Sequence, residues 1–376
     1  MKYYIIAGEA SGDLHGSNLI TGILRSDPTA EIRAWGGDLM EESGADIVKH
    51  YKETAVMGYW SVIKSLKKIK GNLDFCKSDI LEYKPDVVIF IDYPGFNLRI
   101  AKFAKENGFK TFYYIAPKIW AWKTFRIKSI KKYIDRLYSI LPFEVDFYKA
   151  FNYEIEYIGN PLLDAIEAQL NRTELFDDFA KRHQIEHKPV IALLPGSRKQ
   201  EIKFLLPMML RMQNEFPQYQ FLISAAPGIK EEFYEQFITK DNKLIKNDTY
   251  QLLKHADGAI VASGTAALET ALIGTPQVAV YKVTGGMLSQ IIGKIVIKVK
   301  WATLVNLIMQ KEIIKELLQK DFTFTKLKKE LKAILPGGEK REELIINYRE
   351  LHSKMGNTGA SVRAAESMVK RLKATV

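Results

Sequence analysis

The sequence predicts an α/β protein made of two doubly wound domains, and three observations carry that prediction. Short apolar runs alternate with longer amphipathic stretches. The alternation occurs twice, on either side of a charge-rich segment with no strand pattern. A glycine-bearing turn follows the first run of each series. In the first series residues 3–7, 87–91, 110–115 and 136–140 read as strands, and the first two are continuously apolar, as strands covered on both faces of a parallel sheet are. Helical segments lie between them, such as 97–107, closed by Gly108. In the second series the strands are 190–194, 220–224, 259–262 and 277–281. Gly159-Asn160-Pro161-Leu162 and the charged residues after it mark the join, which puts the domains at 1–162 and 163–338. Residues 308–334 read as helical and lysine-rich until Pro336-Gly337-Gly338 breaks them, and 339–376 read as one or two further helices.

A length of 376 residues with 47% hydrophobic side chains fits two cores, at about 100–200 residues per domain. Cys76 is the single cysteine, which excludes a disulfide framework and a cysteine-rich metal site. Of the six histidines only His183 and His187 are close, in a stretch without HExxH, so no metal and no cofactor is expected. No uncharged apolar run reaches the roughly 18 residues of a membrane span. The opening MKYYIIAGEASGD has no signal-peptide pattern, so a soluble or surface-bound cytoplasmic protein is expected. With 55 Lys and Arg against 44 Asp and Glu the net charge is +11, which calls for anionic partners: nucleic acid, phosphorylated small molecules or acidic lipid.

Gly8-Glu9-Ala10-Ser11-Gly12-Asp13 follows the first strand, with a helix expected from about Leu14. Such a turn lets a ligand approach the backbone and the helix N-terminus. It is not GxGxxG, and no acid closes a clear second strand, which disfavours NAD. A tight turn with Asp13 as helix cap is the plainer alternative, although no turn requires the carboxylate of Glu9. Asp92, in Ile91-Asp92-Tyr93-Pro94-Gly95-Phe96-Asn97, ends a strand where an open parallel sheet presents its ligand crevice, a place for a base; an Asx turn before Pro94 competes with that reading.

Gly196-Ser197-Arg198 follows the first strand of the second series, with Glu201 three residues on. Free N–H groups, a hydroxyl and a guanidinium at a helix start suit a diphosphate, whereas the Walker pattern is missing. The competing reading is a capped turn with an Arg198–Glu201 surface pair. Ser263-Gly264-Thr265 repeats the form, and Glu269 lies on the first turns of its helix, able to accept both hydroxyls of a ribose or simply to complement the helix dipole. Met57, Trp60, Ile63, Leu66 and Ile69 recur at helical spacing beside Lys64, Lys67, Lys68 and Lys70. That pattern fits a helix lying on an anionic membrane surface, and equally an ordinary amphipathic core helix. A second basic and aromatic stretch covers 120–136, without an RNP, KH or zinc-finger pattern, so no nucleic acid is expected.

Taken together, GEASGD, IDYPGFN, APKIWAWK, LPFE, IGNPL, LPGSRKQE and ASGTAALE resemble, in order and approximate spacing over residues 5–310, the lipid-A-disaccharide synthases. The resemblance implies two Rossmann-like domains of the GT-B type, with the sugar nucleotide in the second and the C-terminal helices crossing back to the first. It implies an inverting glycosyltransferase that joins UDP-2,3-diacylglucosamine to 2,3-diacylglucosamine 1-phosphate through a β(1→6) bond and releases UDP. The enzyme would act peripherally on the inner face of the cytoplasmic membrane of a Gram-negative bacterium, a homo-oligomer being allowed. By the same resemblance Gly196, Ser197, Arg198, Ser263, Gly264, Thr265, Glu269 and Asn306 fall in the nucleotide site, Glu9 and Ser11 on the acceptor side, and the 57–70 helix faces lipid.

Three positions depart from the family pattern. IDxPDFN becomes IDYPGFN, so Gly95 replaces an acid proposed as base, leaving Asp92 with Glu9 as next candidate. GHPL becomes Gly159-Asn160-Pro161-Leu162, and SLPN becomes Thr303-Leu304-Val305-Asn306. Another GT-B enzyme with a soluble substrate, such as a UDP-N-acetylglucosamine epimerase, is the enzymatic alternative. A non-catalytic module binding anionic lipid or nucleic acid is the other.

Overall fold

The computed structural model describes residues 1–54, 62–121, 123–239, 242–282 and 300–374, the side chains of 54 and 62–67 excepted. The chain divides into two compact units, Met1–Pro161 with Asn357–Val376, and Leu162–Gly356.

The first unit holds a seven-stranded parallel sheet: β1 (Lys2–Ala7), β2 (Glu31–Gly36), β3 (Asp46–His50), β4 (Val87–Ile91), β5 (Lys110–Tyr114), β6 (Arg136–Ser139) and β7 (Glu156–Tyr157), in the order β3-β2-β1-β4-β5-β6-β7. Side chains alternate between two covered faces, as strand geometry requires. Tyr3, Ile5, Val87, Ile89, Phe112 and Tyr114 meet Leu19, Ile20 and Ile23 of the Ala10–Ser26 helix on one face. Tyr4, Ile6, Val88, Phe90 and Tyr113 meet Cys76, Ile80, Ile100 and Ile130 on the other. The tyrosines make the apolar reading incomplete: Tyr3 donates to Asp27 at 3.0 Å and Tyr4 to Asp79 at 2.6 Å, so their hydroxyls are satisfied where they are buried.

The second unit holds β8 (Val190–Leu194), β9 (Gln220–Ser224), β10 (Lys243–Ile245), β11 (Gly258–Ala262), β12 (Gln277–Tyr281) and β13 (Lys315–Leu318), parallel in the order β10-β9-β8-β11-β12-β13. Strands β8, β11 and β12 are buried throughout.

Strands β2, β3, β7, β10 and β13 are additions to the sequence reading. They are short or half-buried and carry charges such as Arg33, Lys49 and Glu316, which hide a continuous apolar signal. Strand β13 interrupts the stretch expected to be helical. The Ala10–Ser26 helix starts four residues ahead of Leu14, because the glycine turn is itself the first helical turn: the Asp13 N–H donates to the Glu9 carbonyl at 2.9 Å.

The tail also differs from the expectation that all of 339–376 returns to the first domain. The Arg341–Met355 helix stays in the second unit, where Arg341 donates to the carbonyls of Asp257 and Ile334 at 2.6 and 3.0 Å and Gln277 donates to the Tyr348 hydroxyl at 3.3 Å. Only the Ala360–Lys373 helix completes the first unit. It lies close against Ala10–Ser26, where a Cβ on Gly22 would come within 2.8 Å of the Ala365 Cβ. Met57 and Trp60 lie outside the described residues, as do the side chains of Ile63, Lys64 and Lys67; Lys68 is exposed on the Val62–Tyr83 helix.

Met368 is fully buried between the last helix and the sheet. Met368→Ala is expected to cost about 2–5 kcal/mol, read from urea unfolding followed at the first unit. A loss below about 0.5 kcal/mol would show that this helix is not part of that core.

Candidate active site

In each sheet the strand order reverses once, between β1 and β4 and between β8 and β11. The loops leaving the carboxyl ends of those strands then diverge to opposite faces and open a crevice. The candidates Glu9, Ser11, Asp92, Gly196, Ser197, Arg198, Ser263, Gly264 and Thr265 fall on these four loops or the helix starts that follow them, with Glu269 one turn further on; Asn306 and the 57–68 candidates do not.

At the first reversal, Asp92 and Tyr93 follow β4 with φ of 41° and 45°. Two consecutive left-handed non-glycine residues are strained, at about 1–3 kcal/mol each, and persist only where their surroundings hold them. The Asn97 carboxamide lies within hydrogen-bond distance of the carbonyls of Asp92 (2.8 Å), Ile91 (3.2 Å) and Ile6 (3.4 Å), the Tyr113 hydroxyl donates to the Asp92 carbonyl, and the Tyr93 ring stacks on Phe96. Gly8 is required opposite: a Cβ there would stand 2.4 Å from the Tyr93 ring. Asp92 is thereby presented at the crevice, open to solvent on one side. Desolvation raises its carboxyl above the ordinary range, the Lys118 ammonium opposes that rise and the Glu9 carboxylate adds to it. Glu9 and Ser11 are exposed on the neighbouring turn.

Asp13 has a different job from capping its own helix. It is buried and accepts the backbone N–H groups of Gly37 (2.7 Å), Met40 (3.1 Å) and Leu39 (3.2 Å), so it caps the start of the Asp38–Glu42 helix and ties β2 to the β1 turn. Asn97 and His15 escaped the sequence reading. The signal for Asn97 was its place at the end of IDYPGFN. Burial pushes the His15 imidazole down to about 4, so it is neutral, and its Nδ1 has no partner among the described residues.

At the second reversal a cavity of about 400 Å³ is lined by Gly196, Ser197, Arg198, Ser263, Gly264, Thr265 and Glu269, with Ser224 and Thr249 beside them. Gly196 has φ of 106°, a value that glycine alone adopts freely. The Arg198–Glu201 pair is present at 3.1 Å, but the Arg198 side chain is 70% exposed, so the pair holds it weakly and leaves it able to turn to a ligand. Glu201 also accepts the Ser197 N–H at 3.1 Å, which shows that this turn takes an anionic oxygen. The Thr265–Ile273 helix begins at the cavity wall with no acid in its first turn, leaving its first N–H groups to complement negative charge. Glu269 is held by the Tyr250 hydroxyl at 3.0 Å, and burial raises its carboxyl against that hydrogen bond.

Asn306 is a correction to the sequence reading. It is fully buried, its amide donates to Ile314 O and Glu316 Oε1 at 2.9 Å each, and its Oδ1 accepts the N–H groups of Ile313 (2.8 Å) and Ile314 (3.0 Å). With both ends of the amide engaged it braces the approach to β13 and does not line the cavity. Among the described residues no group of three or more His, Cys, Asp or Glu side chains is arranged to hold a metal, and no helix is long and apolar enough to cross a membrane.

Two doubly wound units, each with its polar loops at a strand-order reversal, define a GT-B type protein. A Neisseria meningitidis UDP-GlcNAc 2-epimerase structure bound to UDP-GlcNAc aligns over 100% of both chains with a TM-score of 0.63 at 11% identity. A calicheamicin glycosyltransferase covers 100% of this chain and 98% of its own at 0.64 and 13%. Within that class the chain belongs to the lipid-A-disaccharide synthetase family, whose model matches residues 3–370. A lipid-A-disaccharide synthase from Syntrophus aciditrophicus is 38% identical over 370 residues, covering 96% of this chain and 95% of its own. One from Myxococcus xanthus is 35% identical over 379 residues, covering 99% and 97%. The chain is thus a glycosyltransferase.

Asp13→Ala leaves three backbone donors without their acceptor and is expected to cost about 2–3 kcal/mol in urea unfolding, with Asp13→Asn recovering part of it. An unchanged midpoint for the alanine variant would overturn the capping role.

Proposed function

We propose that this chain joins UDP-2,3-diacylglucosamine to 2,3-diacylglucosamine 1-phosphate, forming the β(1→6) lipid A disaccharide and releasing UDP. Membership of the family along residues 3–370 is the observation that carries the reading. The 6-hydroxyl of the acceptor attacks the anomeric carbon in line, the C1–O bond to UDP breaks, and the hydroxyl proton passes to a base. Asp92 takes that role: its carboxyl stands above the ordinary carboxylate range, and its turn presents it, exposed, at the carboxyl end of β4. The N–H groups at the start of the Thr265–Ile273 helix, which no side chain caps among the described residues, the Gly196–Ser197 turn and Arg198 stabilise the charge building on the leaving diphosphate. Glu269, locked by Tyr250, accepts the ribose hydroxyls. Glu9 and Ser11 line the acceptor side.

Acylated substrates imply work at a bilayer surface, the inner face of the cytoplasmic membrane. Supporting that placement are the lysines of the 57–70 segment and Phe125, 70% exposed between Thr124 and Arg126. Flotation with anionic vesicles is expected to recover the protein at low salt and to lose it as salt rises, since the contact is partly electrostatic. Recovery from neutral vesicles alone would overturn the electrostatic contact.

The reaction is tested with labelled acceptor and UDP-diacylglucosamine in mixed micelles containing EDTA. Disaccharide and UDP are expected from the wild type, a loss of about 10²–10⁴ in kcat from Asp92→Asn, and a smaller loss from Glu9→Gln. A Cβ at Gly95 would meet nothing within 4 Å, so Gly95→Asp in the Asp92→Asn background is expected to restore part of the rate. Should the folded wild type give no disaccharide across several acyl lengths while converting UDP-N-acetylglucosamine, the epimerase-like reading takes its place.

A further inference from the structure

Glu144 is a buried acid at the carboxyl edge of the first sheet to which the reaction above gives no task. It stands second in the Phe143–Lys149 helix and is 1% exposed. One carboxyl oxygen accepts the Trp120 indole N–H at 2.9 Å, and the other pairs with the Ser139 hydroxyl at the end of β6. The same helix grips the 116–121 segment twice more: the Phe143 and Trp120 rings meet edge to face at 5.1 Å, and the Tyr148 hydroxyl donates to the Pro117 carbonyl at 3.4 Å. Pro117 and Trp120, both held, flank Lys118, which is exposed and whose charge acts on Asp92 and on Glu144 alike. Trp120, Ser139 and the Leu141 backbone all favour the carboxylate, while burying an acid is costly, so its presence calls for a task beyond packing.

We propose that Glu144 is a positioning residue for the transfer reaction: its carboxylate holds the 116–121 segment and shares the Lys118 ammonium with Asp92, keeping Asp92 basic. This rests on Asp92 being the base. An ionised Glu144 also attracts the Lys118 ammonium. A neutral one leaves Lys118 to Asp92 alone, which stabilises the Asp92 carboxylate and weakens it as a proton acceptor. Burial pushes Glu144 up to about 7, against the pull of Ser139, Trp120 and Lys118. The other titratable group facing it is Tyr148, which burial keeps protonated. The state that supports turnover therefore fills as pH rises through neutrality. Stability runs the other way. The folded-state value lies above the unfolded 4.5, so the stability this group contributes is full below 4.5 and lost as pH rises through about 7.

The test compares wild type, Glu144→Gln, Trp120→Phe, Lys118→Met and Asp92→Asn in the transfer assay from pH 5.5 to 9, with urea unfolding of each. Glu144→Gln is expected to fold, to lose the decline in stability between pH 4.5 and 7, and to leave the KM for UDP-diacylglucosamine within about twofold. Its kcat at pH 8 should drop about tenfold, less than the 10²–10⁴ of a lost general base, and the wild-type rise in kcat near pH 7 should vanish. Lys118→Met should remove the same rise, and Trp120→Phe, which strips one donor from the carboxyl, should lower kcat with the rise retained. A wild-type pH profile in Glu144→Gln, or a kcat loss matched by lost stability and a raised nucleotide KM, overturns the proposal. Full turnover by Asp92→Asn overturns the choice of base instead, so the two failures are told apart.

Discussion

Both candidate sites hang from the pairing of two parallel strands, β1 with β4 and β8 with β11. The registers Ala7 with Ile91 and Leu194 with Val261 end each pair nearly level, so the residues that follow emerge side by side: Gly8 beside Asp92, and Pro195 beside Ala262. Because crossovers between parallel strands are right-handed, the helices after such a pair leave to opposite faces, and the gap between them is the one place where side chains from both loops converge. A slip of one residue would reverse every side chain on the strand and drive the loop residues out of register with their partners.

Strands covered on both faces leave little room for polar atoms, so the few that are buried carry structural weight. Asp79 joins the Val62–Tyr83 helix to the sheet by accepting from Tyr4 at 2.6 Å and from Arg33 at 2.6 and 3.1 Å, while the Trp35 indole donates to Tyr4 at 3.0 Å. Glu316 does comparable work in the second unit, accepting from Ala302 N, Thr303 N, Thr303 Oγ1 and Asn306 Nδ2 between 2.7 and 2.9 Å. Asp79 is buried and Glu316 half-buried, and each is met by several donors that offset the cost of withdrawing its charge from water.

The central strands were legible in the sequence because burial on both faces writes an unbroken apolar run. Strands β2, β3 and β13 were not, since Arg33, Lys49 and Glu316 break that run, Arg33 and Glu316 while answering to the tertiary partners Asp79 and Asn306. The loops at the strand reversals were legible through glycine and hydroxyl residues, whose chemistry is local. Asp13, Asn97, Glu144 and Asn306 were misread or passed over for the opposite reason. Their partners lie 24 to 27, 91, 24 and 10 residues away at the furthest, and no spacing along the chain announces them.

The placement of the last helix has a consequence for how the protein is made. Ala360, Ala364, Ala365, Met368, Val369 and Leu372 share one core with Leu19, Ile20 and Ile23, although more than 330 residues separate the two ends. A ribosome emitting the chain therefore releases the first sheet with only the Ala10–Ser26 helix on that face, then builds the entire second unit before the rest of the cover arrives. Domains that fold as continuous segments shed their sticky surfaces early in synthesis. Here the wait lasts while all of Leu162–Gly356 is made, so the nascent first unit is the species that holdase chaperones have most reason to bind.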